Sequence, residues 1–143
     1  MITTRIVPES ERLGFFPTIS NRYIHVEAYI YNLAGKYITD YSGAYYEFIE
    51  LQIDNEGPVI GRFAYPVTET GKVRLVNTLN YSDVILSDEA AGLAIFIMCY
   101  SDYSIGLYEK HSVDSENFTP LYFQLRNYAL EHNEASEILA FLD

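Results

Sequence analysis

The residue types that most often carry catalysis or bind metals are few in this chain and widely spaced. No two of His25, His111 and His132 lie three or four residues apart, the spacing by which two ligands on one helix face hold zinc. Cys99 is the only cysteine and lies in an apolar run, where we expect a buried, unreactive thiol. Phosphate-binding glycine loops, nucleophile elbows and CxxC pairs are absent from the sequence. The sequence therefore predicts no catalytic centre, no metal site and no cofactor.

Carboxylates and tyrosines dominate the polar side chains. There are 20 acidic against 9 basic residues, and residues 83–143 hold only Lys110 and Arg126 as bases, so this half should repel a phosphate backbone. The 14 tyrosines suit protein interfaces, because each joins an apolar ring to a polar hydroxyl. Stacking on unpaired bases would need nearby cations, whereas Tyr45 and Tyr46 are followed by Glu47. Composition therefore favours a protein partner, a basic one included, over direct nucleic-acid binding, while a purely solubilising role for the charge stays open.

Length and hydropathy predict one domain, residues 1–143, in the cytoplasm. The chain is 49% hydrophobic, enough for a core without disulfides or a structural metal. The N-terminal residues lack the apolar stretch of a signal peptide. The longest apolar run, residues 90–100, is shorter than the ~20 residues that span a bilayer.

The first half of the chain reads as a helix followed by antiparallel strands. Apolar residues recur at helical spacing over residues 22–38, with Asn21 as a plausible N-cap, and residues 9–16 have room for one or two helical turns. Alternating aromatic and β-branched residues predict strands at 44–53, 60–65 and 72–79, the first two joined by a turn at 54–58. Residues 81–86 read as a fourth strand or an extended lead-in. Short strands without intervening helices favour an antiparallel sheet.

The second half reads as three helices. Ser87 should cap a helix at 88–103 that is apolar on most faces and therefore central to the core. Its residues expected to be buried are Leu93, Ile95, Phe96, Ile97 and Cys99. After a polar loop to residue 114, Thr119-Pro120 should begin a helix ending near His132, and Asn133 should cap a last helix at 134–142. The predicted fold is α+β: an antiparallel sheet of three or four strands packed with an N-terminal helix and a C-terminal group of three helices.

Residues 11–17, 43–48, 61–66 and 87–93 form four short segments in order along nearly the whole chain, and these segments resemble motifs of the ArdB/KlcA antirestriction family. Residues 11–17 (ERLGFFP) are similar to that family's ERLxFLP, and residues 43–48 (GAYYEF) to its GAYWxF/Y, with Tyr46 where tryptophan is usual. Residues 61–66 (GRFAYP) are similar to a diverged GGFYMAP, and residues 87–93 (SDEAAGL) to SADAAG. The motif residues are Arg12, Leu13, Pro17, Gly43, Tyr45, Gly61, Pro66, Ser87, Asp88, Ala90, Ala91 and Gly92.

The motif residues are typical of fold determinants more than of a binding site. Gly43 and Gly61 suit turn or strand-entry positions, Ser87 and Asp88 make a helix start, and the small residues 90–92 would let another element approach the helix closely. We therefore expect these positions to be mostly structural.

The resemblance implies a function. It implies a non-enzymatic protein that blocks DNA cleavage by type I restriction–modification systems and so protects plasmid or other mobile-element DNA. Its partner would be the restriction–modification system or an associated host protein, contacted directly or indirectly, with no cofactor. Residues 67–80 depart from the family pattern, which leaves room for a different partner. The alternative is an acidic protein-interaction module or DNA mimic that binds another basic or DNA-binding protein.

An acidic surface near the C-terminus is a candidate docking patch for a basic partner. It comprises Glu131, Glu134, Glu137 and Asp143. Glu134 and Glu137 are three residues apart, so they should share one helix face. Like charges on one face cost ~0.2–0.5 kcal/mol per pair, which a docking role would explain. An ordinary solvated helix face is the alternative.

Overall fold

The computed structural model describes residues 1–105 and 115–143, with only the backbone given for residues 115–117. His111, Lys110 and most of the predicted polar loop lie outside the described residues. The strands are β1 (Ile2–Ile6), β2 (Tyr45–Ile53), β3 (Val59–Val67), β4 (Lys72–Asn77) and β5 (Ser82–Ser87). A 3-10 helix (Glu9–Gly14) precedes the helices α1 (Phe15–Ile19), α2 (Tyr23–Tyr37), α3 (Asp88–Ser104), α4 (Ser115–Leu130) and α5 (Ala135–Leu142). The α+β class predicted from the sequence is confirmed.

The larger sheet has three antiparallel strands in the order β1-β2-β3. The predicted hairpin between the first two expected strands is confirmed as β2-β3, and its turn holds Asp54 and Asn55 at positive φ, which short polar side chains tolerate. The N-terminal strand β1 was not predicted. It adds to β2 with Ile2 opposite Ile53, and its short ITTRI sequence was too brief to distinguish from an unstructured terminus.

The prediction that residues 72–79 join this sheet is wrong. β4 pairs antiparallel with β5 in a separate two-stranded sheet, so residues 81–86 are a strand and not a lead-in. The physical reason is that α3 already covers the outer strand β3. The Tyr100 hydroxyl of α3 donates to the Arg62 carbonyl oxygen at 3.1 Å, and Gly92 lies against the backbone of Ala64. No room is left beside β3 for another strand.

Helix α3 is the core helix, as predicted. The five residues expected to be buried are each at most 3% exposed. Ser87 is the N-cap, and its hydroxyl accepts a hydrogen bond from the Ala90 amide at 3.2 Å. Side chains from the other helices pack around α3, including Ile30 of α2, Leu125 of α4 and Phe141 of α5, all buried.

Several helix ends differ from the predictions. Helix α2 has Arg22 and not Asn21 at its N-cap, with no side-chain hydrogen bond there, and α3 runs through Ser104 into the predicted loop. Helix α4 begins at Ser115, so Pro120 lies inside it. Helix α5 has Glu134 at its N-cap in place of Asn133. We attribute the start of α5 to a tertiary contact, because the Glu134 carboxylate is bound to Ser87 at the start of α3, as described below.

Candidate functional site

The first two motifs meet at the Arg12 side chain. Arg12 reaches from the 3-10 helix to β2, where its guanidinium donates to the Tyr45 hydroxyl and to Glu47 Oε2 at 3.1 Å. Its Nε donates to the Val7 carbonyl oxygen at 3.2 Å. The same guanidinium carbon lies 5.3 Å and 5.4 Å from the ring centroids of Tyr45 and Phe48. One side chain therefore ties the N-terminal motif to the second motif by charge, hydrogen bonds and ring contacts.

A tyrosine cluster lies beside this contact. Tyr46, at the position where the family usually has tryptophan, is 8% exposed, and its hydroxyl oxygen is 2.8 Å from that of Tyr41. The Tyr46 ring packs edge-on against Tyr31, with 5.3 Å between the centroids. Burial raises the pKa of Tyr46 well above its usual range and, together with Glu27, raises the pKa of Tyr31 to about 12. These phenols stay protonated at neutral pH, so they act as hydrogen-bonding and packing groups and not as bases.

A cavity of about 550 Å³ opens next to the tyrosine cluster, and we call it the motif cavity. The second and third motifs contribute Gly43, Ala44 and Pro66 to its wall. Gly43 has φ +104°, a conformation that side chains rarely adopt. The charged residues that line the motif cavity are Asp40, Glu69, Lys72 and Arg74. Its described lining holds no histidine or cysteine, so the cavity offers polar recognition and not an activated nucleophile.

The fourth motif is bound to two other parts of the chain. The Asp88 carboxylate accepts hydrogen bonds from the Thr68 amide at 3.0 Å and the Thr68 hydroxyl at 2.7 Å. Ser87 donates through its amide and its hydroxyl to the two carboxylate oxygens of Glu134, at 2.8 Å and 2.5 Å. A carboxylate beside a helix N-terminus also interacts favourably with the helix dipole. The start of α3 thus joins the β3–β4 connection to the start of α5.

The small motif residues allow the close approach that the sequence predicted. Ala90 and Ala91 are fully buried. A Cβ on Gly92 would lie 2.3 Å from the Ala64 carbonyl oxygen, far inside van der Waals contact. A Cβ on Gly61 would lie 3.1 Å from the Leu51 side chain. Gly92 therefore lets α3 lie directly against β3, and Gly61 leaves room on β3 for the side chains of Leu51 and Leu125.

The remaining motif residues differ in exposure. Pro66 is buried, whereas Pro17 of α1 and Leu13 of the 3-10 helix are exposed, Leu13 by 94%. Tyr45 is 51% exposed. Leu13, Pro17 and Tyr45 are the motif residues whose apolar side chains face solvent, so they are available for contact with another molecule.

The structure separates the predicted acidic patch into two kinds of residue. Glu131, Glu137 and Asp143 are exposed, and Asp143 lies 3.5 Å from the Arg126 guanidinium. Glu134 is half-buried and its carboxylate is bound to Ser87, so it is occupied within the molecule. The internal role of Glu134 was missed, because nothing in the local sequence points to a partner 47 residues away.

His132, beside the acidic patch, is held by contacts within the protein. His132 lies with its Nε2 atom 2.9 Å from Glu89 Oε1, and its Nδ1 accepts a hydrogen bond from the Glu134 amide at 3.0 Å. Among the described residues, no three histidine, cysteine, aspartate or glutamate side chains lie close enough together to hold a metal ion. None of the helices in the described part of the chain is long and apolar enough to cross a membrane.

The contacts of Arg12 with Tyr45 and Glu47, the motif cavity and the start of α3, which together we call the motif face, make up the candidate site of this fold. The profile of the antirestriction protein family matches residues 39–143, and the chain belongs to that family. A solved structure of the KlcA and ArdB proteins superposes with a TM-score of 0.79 at 24% identity, over 99% of this chain and 95% of the other. Those proteins are described as having a novel fold and antirestriction activity against type I DNA restriction systems in vivo but not in vitro.

Relatives from Escherichia coli (strain K12) extend over almost the same length. The chain is 32% identical to the putative antirestriction protein YubI, across 96% of this chain and 93% of YubI. It is 30% identical to the uncharacterized protein YafX, across 99% of this chain and 88% of YafX. The resemblance drawn from the four motifs is therefore confirmed at the level of family and fold.

Proposed function

We propose that this protein lowers DNA cleavage by type I restriction–modification systems in the cell, and that it does so by binding and not by catalysis. The observation that carries the proposal is the family match over residues 39–143. The described part of the motif face supports it, since it offers hydrogen bonds, rings and charges but no nucleophile paired with a base. Protection of mobile-element DNA is the biological consequence we attach to it.

The behaviour of the structural relatives suggests how the protein acts. KlcA and ArdB act in vivo but not in vitro. By analogy, we propose that this chain needs a further cellular component, so that its immediate partner is either a host protein or an assembled state of the restriction system.

DNA mimicry is the alternative within the same function, and the carboxylate contacts count against it. A mimic would present free carboxylates in rows at phosphate-like spacing. Many carboxylates here already accept hydrogen bonds from the protein itself, among them Glu11, Glu47, Glu50, Asp83, Asp88 and Glu134. The exposed Glu131 and Glu137 remain as a smaller acidic docking patch for a basic partner.

The test is the plating efficiency of unmodified phage on strains that carry a type I system, with and without the expressed protein. We expect plating to rise toward the value on a matched strain without restriction. Phage already modified by the same system is the control for general effects on growth. A DNA-methylation measurement in the same cells separates blocked cleavage, which leaves methylation intact, from blocked target recognition. Unchanged plating against several type I systems would contradict the proposal.

A further inference from the structure

A groove of about 940 Å³ runs along α2, and none of its lining residues belongs to the four motifs. One wall is a face of α2. The other walls are the turn after β4 and the C-terminal ends of α3 and α5. Its floor is apolar and is formed by Leu33, Tyr37, Met98 and Tyr103, all buried or half-buried. The size and the apolar floor with polar edges are typical of a ligand-binding site.

The α2 wall carries three exposed polar side chains that face the groove. His25, Asn32 and Lys36 are exposed, and the side chains of His25 and Asn32 make no hydrogen bond to the described part of the chain. The Lys36 ammonium makes no ion pair with a described residue and lies 5.1 Å from the centroid of Tyr37. The helical rise puts His25 and Lys36 about 16 Å apart along the axis, the length of about five residues of extended chain. This wall therefore presents donors over a length too great for one small anion.

The polar groups on the facing walls are already engaged. The Asp102 carboxylate accepts a hydrogen bond from the Tyr29 hydroxyl. The Asn77 and Asn80 side-chain amides donate to the Phe141 carbonyl oxygen at 3.1 Å and 2.9 Å, which fixes the turn against the end of α5. The same turn holds Leu79 at the rim of the groove, 80% exposed. A ligand would therefore find exposed donors on α2, with the charge of Lys36 shared with Asp102, and a fixed apolar edge opposite.

We propose that this groove binds an extended segment of a partner polypeptide that carries one or two carboxylates among apolar residues. The carboxylates pair with Lys36 and His25, the Asn32 amide meets the peptide backbone, and an apolar side chain packs between the floor and Leu79. A nucleic-acid strand fits less well, since it would bring a phosphate for every nucleotide toward a chain of net charge −11. This inference does not depend on the proposed antirestriction function.

The experiment uses the full chain, immobilised and panned with a random heptapeptide phage library. We expect the enriched peptides to share an acidic and an apolar residue. The binding of an enriched synthetic peptide, followed by fluorescence anisotropy, should weaken by about tenfold or more in the Asn32→Trp and Lys36→Glu variants, the change produced by ~1.4 kcal/mol. Each variant has a matched control. Ile24→Trp adds the same ring to an exposed α2 position that does not line the groove, and Lys72→Glu makes the same charge change on β4.

Three results would overturn the assignment. These are no enrichment, enrichment of basic peptides, or equal binding to the groove variants and their controls. If the protein bound a short oligothymidine and Asn32→Trp abolished that binding, the groove would be a nucleic-acid site instead. If the protein self-associated and Asn32→Trp abolished that association, the groove would be an interface with a second copy. Circular dichroism of each variant shows whether the substitution leaves the fold intact; all four positions are exposed, so we expect it to.

Discussion

The motif face and the α2 groove use their polar side chains in opposite ways. Around the motifs, Arg12 is bound to Tyr45 and Glu47, and Asp88 is bound to Thr68. In the groove, the side chains of His25 and Asn32 make no hydrogen bond to a described residue, and Lys36 makes no ion pair with one. The motif side chains named here are therefore engaged within the molecule, whereas the exposed polar groups of the groove lie where the sequence showed no motif. The predictions below test that contrast.

The largest effect is expected at Gly92. In Gly92→Ala the new Cβ would lie 2.3 Å from the Ala64 carbonyl oxygen and 2.5 Å from the Tyr65 Cα, and these backbone atoms cannot move aside cheaply. We expect a loss of about 3 kcal/mol or more in the free energy of unfolding, measured by urea denaturation. Gly35→Ala is the control, because its Cβ would meet only a Tyr41 ring atom at 4.0 Å and the residue lies in an exposed helix interior. The free energy of unfolding of that variant should rise by about 0.5–1 kcal/mol. Similar values for the two would show that α3 and β3 are not held as closely as described.

The second effect concerns the acidic residues of the C-terminal segment. Glu134→Ala leaves the amide and hydroxyl of Ser87 without their acceptor, so we expect a loss of about 1–3 kcal/mol in thermal-unfolding experiments. Glu137→Ala removes an exposed carboxylate that makes no hydrogen bond or ion pair with a described residue, and should change stability by less than about 0.5 kcal/mol. Equal effects would mean that Glu134 is a surface charge like Glu137, and would restore it to the docking patch.

The same contrast explains what the sequence could predict. Helix α3 was found because its apolar run and the Ser87 cap are local signals, and the β2–β3 hairpin because its turn residues lie beside its strands. The pairing of β4 with β5 was missed, because it depends on α3 covering β3 through the small residue Gly92. The Glu134–Ser87 contact and the α2 groove were missed for the same reason. Each is made by residues far apart in the chain, and no spacing rule connects them.

The third prediction compares two ion pairs by double-mutant cycles. Arg74 and Asp83 have the shorter contact, 2.6 Å against 3.1 Å for Arg12 and Glu47, but their side chains are 54% and 49% exposed, against 17% and 25%. Burial should outweigh distance, because water screens the exposed pair. We expect a coupling energy of about 1–2 kcal/mol for Arg12–Glu47 and a smaller one for the solvent-screened pair Arg74–Asp83. A larger coupling energy for Arg74–Asp83 would show that the shorter distance matters more than burial.

The smallest effect should appear at Asp102, at the edge of the groove, as a dependence on pH. Burial raises the pKa of this carboxyl, and the Tyr29 hydrogen bond and the charge of Lys36 only partly oppose it. The folded state therefore binds this proton more tightly than the unfolded state, where the pKa is about 3.9. Ionised Asp102 costs stability above that value, and the cost grows as pH rises to the raised folded pKa and is constant beyond it. The side-chain amide introduced by Asp102→Asn carries no charge, and its oxygen can still accept from Tyr29.

The measurement is the urea midpoint of Asp102→Asn minus that of the wild type, taken at several pH values. We expect the difference to be smallest at the acid end, to shift in favour of the variant as pH rises through the window above about 3.9, and then to level off. The other carboxylates of this acidic chain contribute equally to the acid unfolding of both proteins, so their contribution cancels in the difference. Glu137→Gln is the control for the loss of one negative charge at an exposed position. A difference that stays constant across the range would show that Asp102 is as well solvated as a surface carboxylate, and that the groove edge near Tyr29 is open to water.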